Sequence, residues 1–137
     1  MTYILDACAL IALLNEERGK GYEPVKNLLL RAIAGEVTLC MSLVNLVEVY
    51  YRFIQLSDIE TAAAIMQPVK SLPIKFIHDI TDDIYYEAAL CKARYPMSLA
   101  DAFLCATAKC FSVTIVTKDK EIKPVEERES LPILWIQ

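Results

Sequence analysis

The chain has 137 residues, 55% of them apolar, with only 3 glycines and 6 prolines. That length and composition suit residues 1–137 as one domain with a substantial core, and exclude a low-complexity arm or linker. A formal net charge of −4 excludes a protein that coats nucleic acid through bulk positive charge, so any such contact must be local.

Thr2 to Leu5 reads as a first buried strand. Asp6 stands at its carboxyl end, before the small-residue and leucine-rich helix Ala7 to Leu14. The apolar start is interrupted at Asp6, follows no basic region and is too short to span a bilayer, which predicts a soluble, cytoplasmic protein without membrane contact. Asp6 suits two roles. It fits a helix N-cap worth about 1 kcal/mol, and it fits a site residue at a strand end. Asn15 to Gly21 is a polar turn, Tyr22 to Ala34 a helix closed by Gly35, and Val37 to Met41 a second strand.

Ser42 caps a helix reaching about Gln55, whose predicted core stripe is Leu43, Leu46, Val47, Tyr50 and Ile54. Glu48 lies at the edge of that stripe. A solvated Glu48–Arg52 pair at the i, i+4 spacing, worth a few tenths of a kcal/mol, accounts for it on spacing alone. Asp58 to Ser71 forms the next helix, Ile74 to Ile77 a third strand, and Thr81-Asp-Asp83 opens a helix to about Arg94.

Ser98-Leu-Ala-Asp101 has the spacing of a capping box. From Asp101 the apolar positions Leu104, Cys105, Ala108 and Phe111 fall three or four apart, so the aspartate begins the stripe that faces the core. Val113 to Val116 is a short buried strand, and Thr117 to Glu121, with Asp119, emerges from its carboxyl end, where open α/β sheets build their sites. Ile122 to Ser130 is charged and poorly periodic, and Ile133 to Ile136 is a last strand. Strands alternating with helices predict an α/β fold, a mostly parallel sheet of four or five strands with helices on both faces. The five cysteines include no CxxC pair and accompany a single histidine, which indicates neither a zinc site nor a disulfide framework.

If Asp6, Glu48, Asp101 and Asp119 converge, two carboxylates about 4 Å apart repel by roughly 4 kcal/mol at an effective dielectric near 20. They must then take up protons or hold a cation. Oxygen ligands alone suit a hard ion such as Mg²⁺ or Mn²⁺, and an ion so held favours phosphate oxygens.

Asp6-Ala-Cys-Ala after a hydrophobic start, Leu46-Val-Glu48, Leu99-Ala-Asp101-Ala with Ala106-Thr-Ala108, and Val116-Thr-Lys-Asp119 together resemble the PIN-domain ribonucleases, especially the small VapC-type toxins of toxin–antitoxin pairs. The resemblance covers nearly the whole chain. It implies a three-layer α/β/α fold and metal-dependent endoribonuclease activity on RNA, with Asp6, Glu48, Asp101 and Asp119 as catalytic acids. It also implies Asp6 and Asp101 as main metal ligands, Asp119 close by or acting through water, and Glu48 placing water or a second ion. Thr117 matches the family's hydroxyl position, and Glu121 an acid present in some members. A homodimer and a cognate antitoxin follow from the same resemblance.

Two other classes compete. A phosphoaspartate receiver wants paired acids after its first strand, and this chain offers only Asp6 there. A non-catalytic docking module would use the same acids merely as helix caps.

Overall fold

The computed structural model describes residues 1–16 and 21–137. Strands β1 (Thr2–Leu5), β2 (Thr38–Ser42), β3 (Ile74–Ile77), β4 (Thr114–Thr117) and β5 (Ile133–Trp135) form one sheet in the order β3-β2-β1-β4-β5. All four pairings are parallel.

Alternation along these strands divides the core in two. Tyr3, Leu5, Leu39, Met41 and Val116 pack on one face against α1 (Ala7–Leu14), α2 (Tyr22–Ile33), α3 (Leu43–Leu56) and α4 (Ile59–Met66). Ile4, Cys40 and Ile115 pack on the other against α5 (Asp82–Arg94), α6 (Leu99–Phe111) and α7 (Lys123–Glu129). Covered on both faces, the strands need no polar alternation, which is why they read as continuous apolar runs. The result is a three-layer α/β/α fold with an entirely parallel sheet.

The strand order places the site. From β1 the chain moves outward to β2 and β3, then crosses back to lay β4 on the free side of β1. The carboxyl ends of β1 and β4 therefore flank the point where the order reverses, the position at which open α/β sheets leave a crevice. Ile4, Leu5, Ile115 and Val116 are wholly buried, each contributing about 1.5–3 kcal/mol of apolar burial. The last ladder pair is Leu5 with Val116, and the Asp6 N–H continues it by donating to the Val116 carbonyl at 3.0 Å.

Several elements differ from expectation. In α3 the buried residues are Asn45, Val49 and Phe53, whereas Val47 is 63% exposed, Tyr50 and Tyr51 are exposed, and Leu46 and Ile54 reach the core only in part. The helix carries two adjacent apolar stripes, and the polar Asn45 disguised the true one. Asn45 is nonetheless wholly buried, its Nδ2 donating to the Ala100 carbonyl at 3.4 Å and so tying α3 to the first turn of α6. Phe111, predicted inward, is 51% exposed. It falls roughly 80° round the helix from Asp101, at the margin of the stripe.

The helix expected from Asp58 to Ser71 is α4 followed by a 3₁₀ turn at Gln67–Ser71. Pro68 lacks the N–H that would continue the α ladder. Past Asp119 a 3₁₀ turn at Lys120–Ile122 leads into α7, so the charged and poorly periodic stretch from Ile122 to Ser130 is mostly helical, opened by Pro124 and anchored by Val125. Of the polar turn from Asn15 to Gly21, residues 17–20 lie outside the described residues, while Asn15 closes α1. Among the described residues no helix is long and apolar enough to cross a membrane.

Candidate active site

Four short-range devices aim the acids. Asp6 is the N-cap of α1, and its Oδ1 accepts from the Ala7 N–H at 2.7 Å. The two sequence interpretations of Asp6 are therefore compatible: it caps the helix through Oδ1, and the same carboxylate takes part in the site, with Oδ2 accepting from Thr117 and Cys8. Ser98 caps α6 by accepting from the Asp101 N–H at 3.1 Å, which sets Asp101 on the buried side of the first turn. Asp119 sits two residues past β4, its N–H donating to Thr117 Oγ1 at 2.9 Å and its Oδ1 accepting from the Glu121 N–H at 3.0 Å. Glu48 projects from the second turn of α3 with its side chain 13% exposed.

Asp6, Asp101 and Asp119 each offer a carboxylate oxygen, and these oxygens lie within 4.8 Å of one another. Asp6 is 2% and Asp101 3% exposed. Glu48 stands outside this trio, near enough that Asp6 and Asp119 disfavour its charge. Glu121 is exposed and donates its backbone N–H to Asp119 Oδ1.

Burial pushes the Asp6 carboxyl above its ordinary range, against hydrogen bonds from Thr117, Ala7 and Cys8 that work the other way. Burial likewise raises Asp101 to about 8, with the charges of Asp6 and Asp119 adding to the effect. Glu48 is also raised, by burial first, although Arg52 opposes the shift. Groups so disposed hold protons or take up a cation. The donor set is hard oxygen. A Mg²⁺ ion at about 2.1 Å from its ligands spans about 4 Å between opposite oxygens, so the trio has the spread that such an ion draws together. Asp6, Asp101 and Asp119 fit a divalent ion, with Glu48 beside them.

One residue of the site escaped the sequence reading. A cysteine outside any metal or disulfide pattern is commonly a small core hydrophobe, and Cys40, Cys91 and Cys105 are buried in that way. Cys8 instead donates its S–H to Asp6 Oδ2 at 3.4 Å, lies 3.4 Å from Thr117 Oγ1 and accepts from the Lys118 N–H at 3.5 Å. Burial and then the Asp6 charge push its thiol up to about 12, so it stays a neutral donor. Its place in the first turn of α1, two residues after a strand-end acid, was the available signal.

A model of the PIN domain family matches residues 3–127. The chain belongs to the PIN domain family. Among solved structures, this PIN domain is similar to VapBC2 from Rickettsia felis bound to a promoter DNA fragment, with TM-score 0.76, 18% identity and 98% of each chain covered. It is also similar to DNA-bound VapBC from Salmonella typhimurium, with TM-score 0.73 and 15% identity over 100% of this chain and 99% of that one. A third is VapC20 of Mycobacterium tuberculosis, a sarcin-ricin loop cleaving toxin, with TM-score 0.69 and 17% identity over 90% and 94% of the two chains. No curated protein matches. At these identities the likeness is one of fold. The order β3-β2-β1-β4-β5 also separates this PIN domain from receivers, whose flavodoxin-like sheets run 2-1-3-4-5.

Proposed function

We propose that this PIN domain is a Mg²⁺- or Mn²⁺-dependent endoribonuclease that hydrolyses RNA phosphodiester bonds, with Asp6, Glu48, Asp101 and Asp119 as its catalytic acids. The observation that carries this is the meeting of three carboxylates, two of them buried, at the sheet's reversal point. Asp6, Asp101 and Asp119 are the ligands in this reading. The ion, when bound, supplies positive charge against the phosphate and the leaving oxygen. Asp101, whose carboxyl is raised to about 8 by burial and by the neighbouring aspartates, would hold the ion as the carboxylate. Glu48, kept outside the trio with burial raising its carboxyl above the ordinary range, orients the attacking water and accepts its proton.

The test is cleavage of RNA by purified protein. Activity should require Mg²⁺ or Mn²⁺, stop on chelation, and fall by two orders of magnitude or more in Asp6→Asn and Asp101→Asn. Unchanged cleavage in those two variants would exclude the assignment.

The similar solved structures include toxin–antitoxin complexes, and we extend the proposal to a toxin of a type II pair, working in the cytoplasm and held silent by an antitoxin protein. The five free cysteines accord with a reducing compartment. The homodimer we place on the exposed face of α3, a groove lined by Leu43, Leu46, Val47, Tyr50, Tyr51 and Ile54. A two-fold contact sets one patch against itself, and a patch without charged side chains puts no like charges face to face.

A further inference from the structure

Glu48 is joined to Arg52 one turn along α3, Nη2 to Oε2 at 3.8 Å, with the guanidinium side chain 52% exposed and the carboxylate 13%. An i, i+4 pair in open water contributes only a few tenths of a kcal/mol. Here the acid stands beside the three clustered aspartates, and Arg52 is also within electrostatic reach of Asp6. Half of the arginine faces solvent beside the carboxylates, within reach of a strand bound at them. A guanidinium stays charged at any relevant pH and matches phosphate oxygens with paired donors.

We propose that Arg52 is a built-in counter-cation of the acidic site, holding Glu48 while no metal is bound and turning to a phosphate oxygen of the RNA strand once metal has entered. This deepens the nuclease reading and rests on it. Its signature is a pair of effects of opposite sign. Without Arg52, the charge of Glu48 is no longer offset, so divalent ions bind more tightly. The same loss removes a phosphate contact, so RNA binds more weakly. A pair that merely ties one turn of α3 to the next would move neither, or weaken both.

The experiment measures Mn²⁺ binding by titration calorimetry, together with KM and kcat for cleavage of a short single-stranded RNA, in wild type, Arg52→Gln and Arg52→Lys. Arg52→Gln should tighten Mn²⁺ about 3- to 10-fold and raise KM about 5- to 10-fold while kcat changes less. Arg52→Lys should restore the wild-type Mn²⁺ affinity and recover part of the KM. Unchanged or weakened Mn²⁺ affinity in Arg52→Gln, or an unchanged KM, overturns the role of Arg52 and leaves the nuclease standing. Failure of the wild type itself to bind Mn²⁺ overturns both.

Discussion

Thr117 donates its hydroxyl to Asp6 Oδ2 at 2.6 Å, joining residues 111 positions apart in the chain. The same Oγ1 accepts the Asp119 N–H, so a single side chain aligns two acids on neighbouring strand ends. Replacing it removes a donor to a buried carboxylate and an acceptor for an amide. Thr117→Val keeps the shape and should cost about 1–3 kcal/mol of stability. Groups that support metal ligands typically change affinity 10- to 100-fold, so Mn²⁺ binding should weaken by about that factor. Thermal melts and calorimetry on one preparation check both; full affinity in the valine variant would remove Thr117 from the site.

The raised acids predict an inverted pH profile for the metal-free protein. Asp101 moves from 3.8 in the unfolded chain to about 8 in the fold, and Asp6 and Glu48 shift the same way. Between those values the folded state keeps protons that the unfolded state has released, so stability falls as pH rises through this window. The melting temperature of metal-free protein should therefore be several degrees lower at pH 8.5 than at pH 5.5. Saturating Mg²⁺ should narrow the gap, because the ion replaces the protons. A metal-free melting temperature that climbs across that interval contradicts the burial of these charges.

Cys8 offers a chemical check. Its thiol is pushed up to about 12 and is tied to Asp6 and Thr117, whereas Cys110 is exposed. Native protein at pH 7.5 should label at Cys110 first, with Cys8 slower by at least about 10-fold, as read by peptide mass mapping. Cys8→Ser should retain metal binding within about threefold, since a hydroxyl makes the same bond to Asp6, and Cys8→Ala should weaken it. Equal binding by serine and alanine variants would reduce Cys8 to a space filler.

The two faces of α3 separate partner contact from folding. Val47→Asp places a charge on the exposed stripe and should leave the melting temperature within about 2 °C while converting a dimer to a monomer in light scattering. Val49→Asp buries an unpaired charge in the core and should prevent folding. A Val47→Asp protein that stays dimeric would move the proposed contact elsewhere.

Element type was legible wherever periodicity and caps agreed: Asp6 after β1, Ser42, Asp58, Thr81 and Ser98 all accept an amide in the first turn of the following helix. The convergence of Asp6 and Asp119 was legible too, because strand-end acids on parallel strands point to one edge. Orientation was harder. Periodicity gives the existence of a face but not its neighbour, so α3, apolar on two stripes, was turned the wrong way. Cys8 was missed for a related reason: composition assigns a thiol to the core, and only the third dimension shows which oxygens it meets.

The reversal of strand order has a consequence for how this protein comes into being. During synthesis β1 precedes β4, the neighbour that completes its second edge, by more than a hundred residues. A nascent chain halted between Asp101 and Thr114 carries Asp6, Glu48 and Asp101 but neither β4 nor Asp119. Assembly of the acids thus waits on translation of β4 and the turn that follows it, which withholds the carboxylate pocket from chains halted on the ribosome before that point.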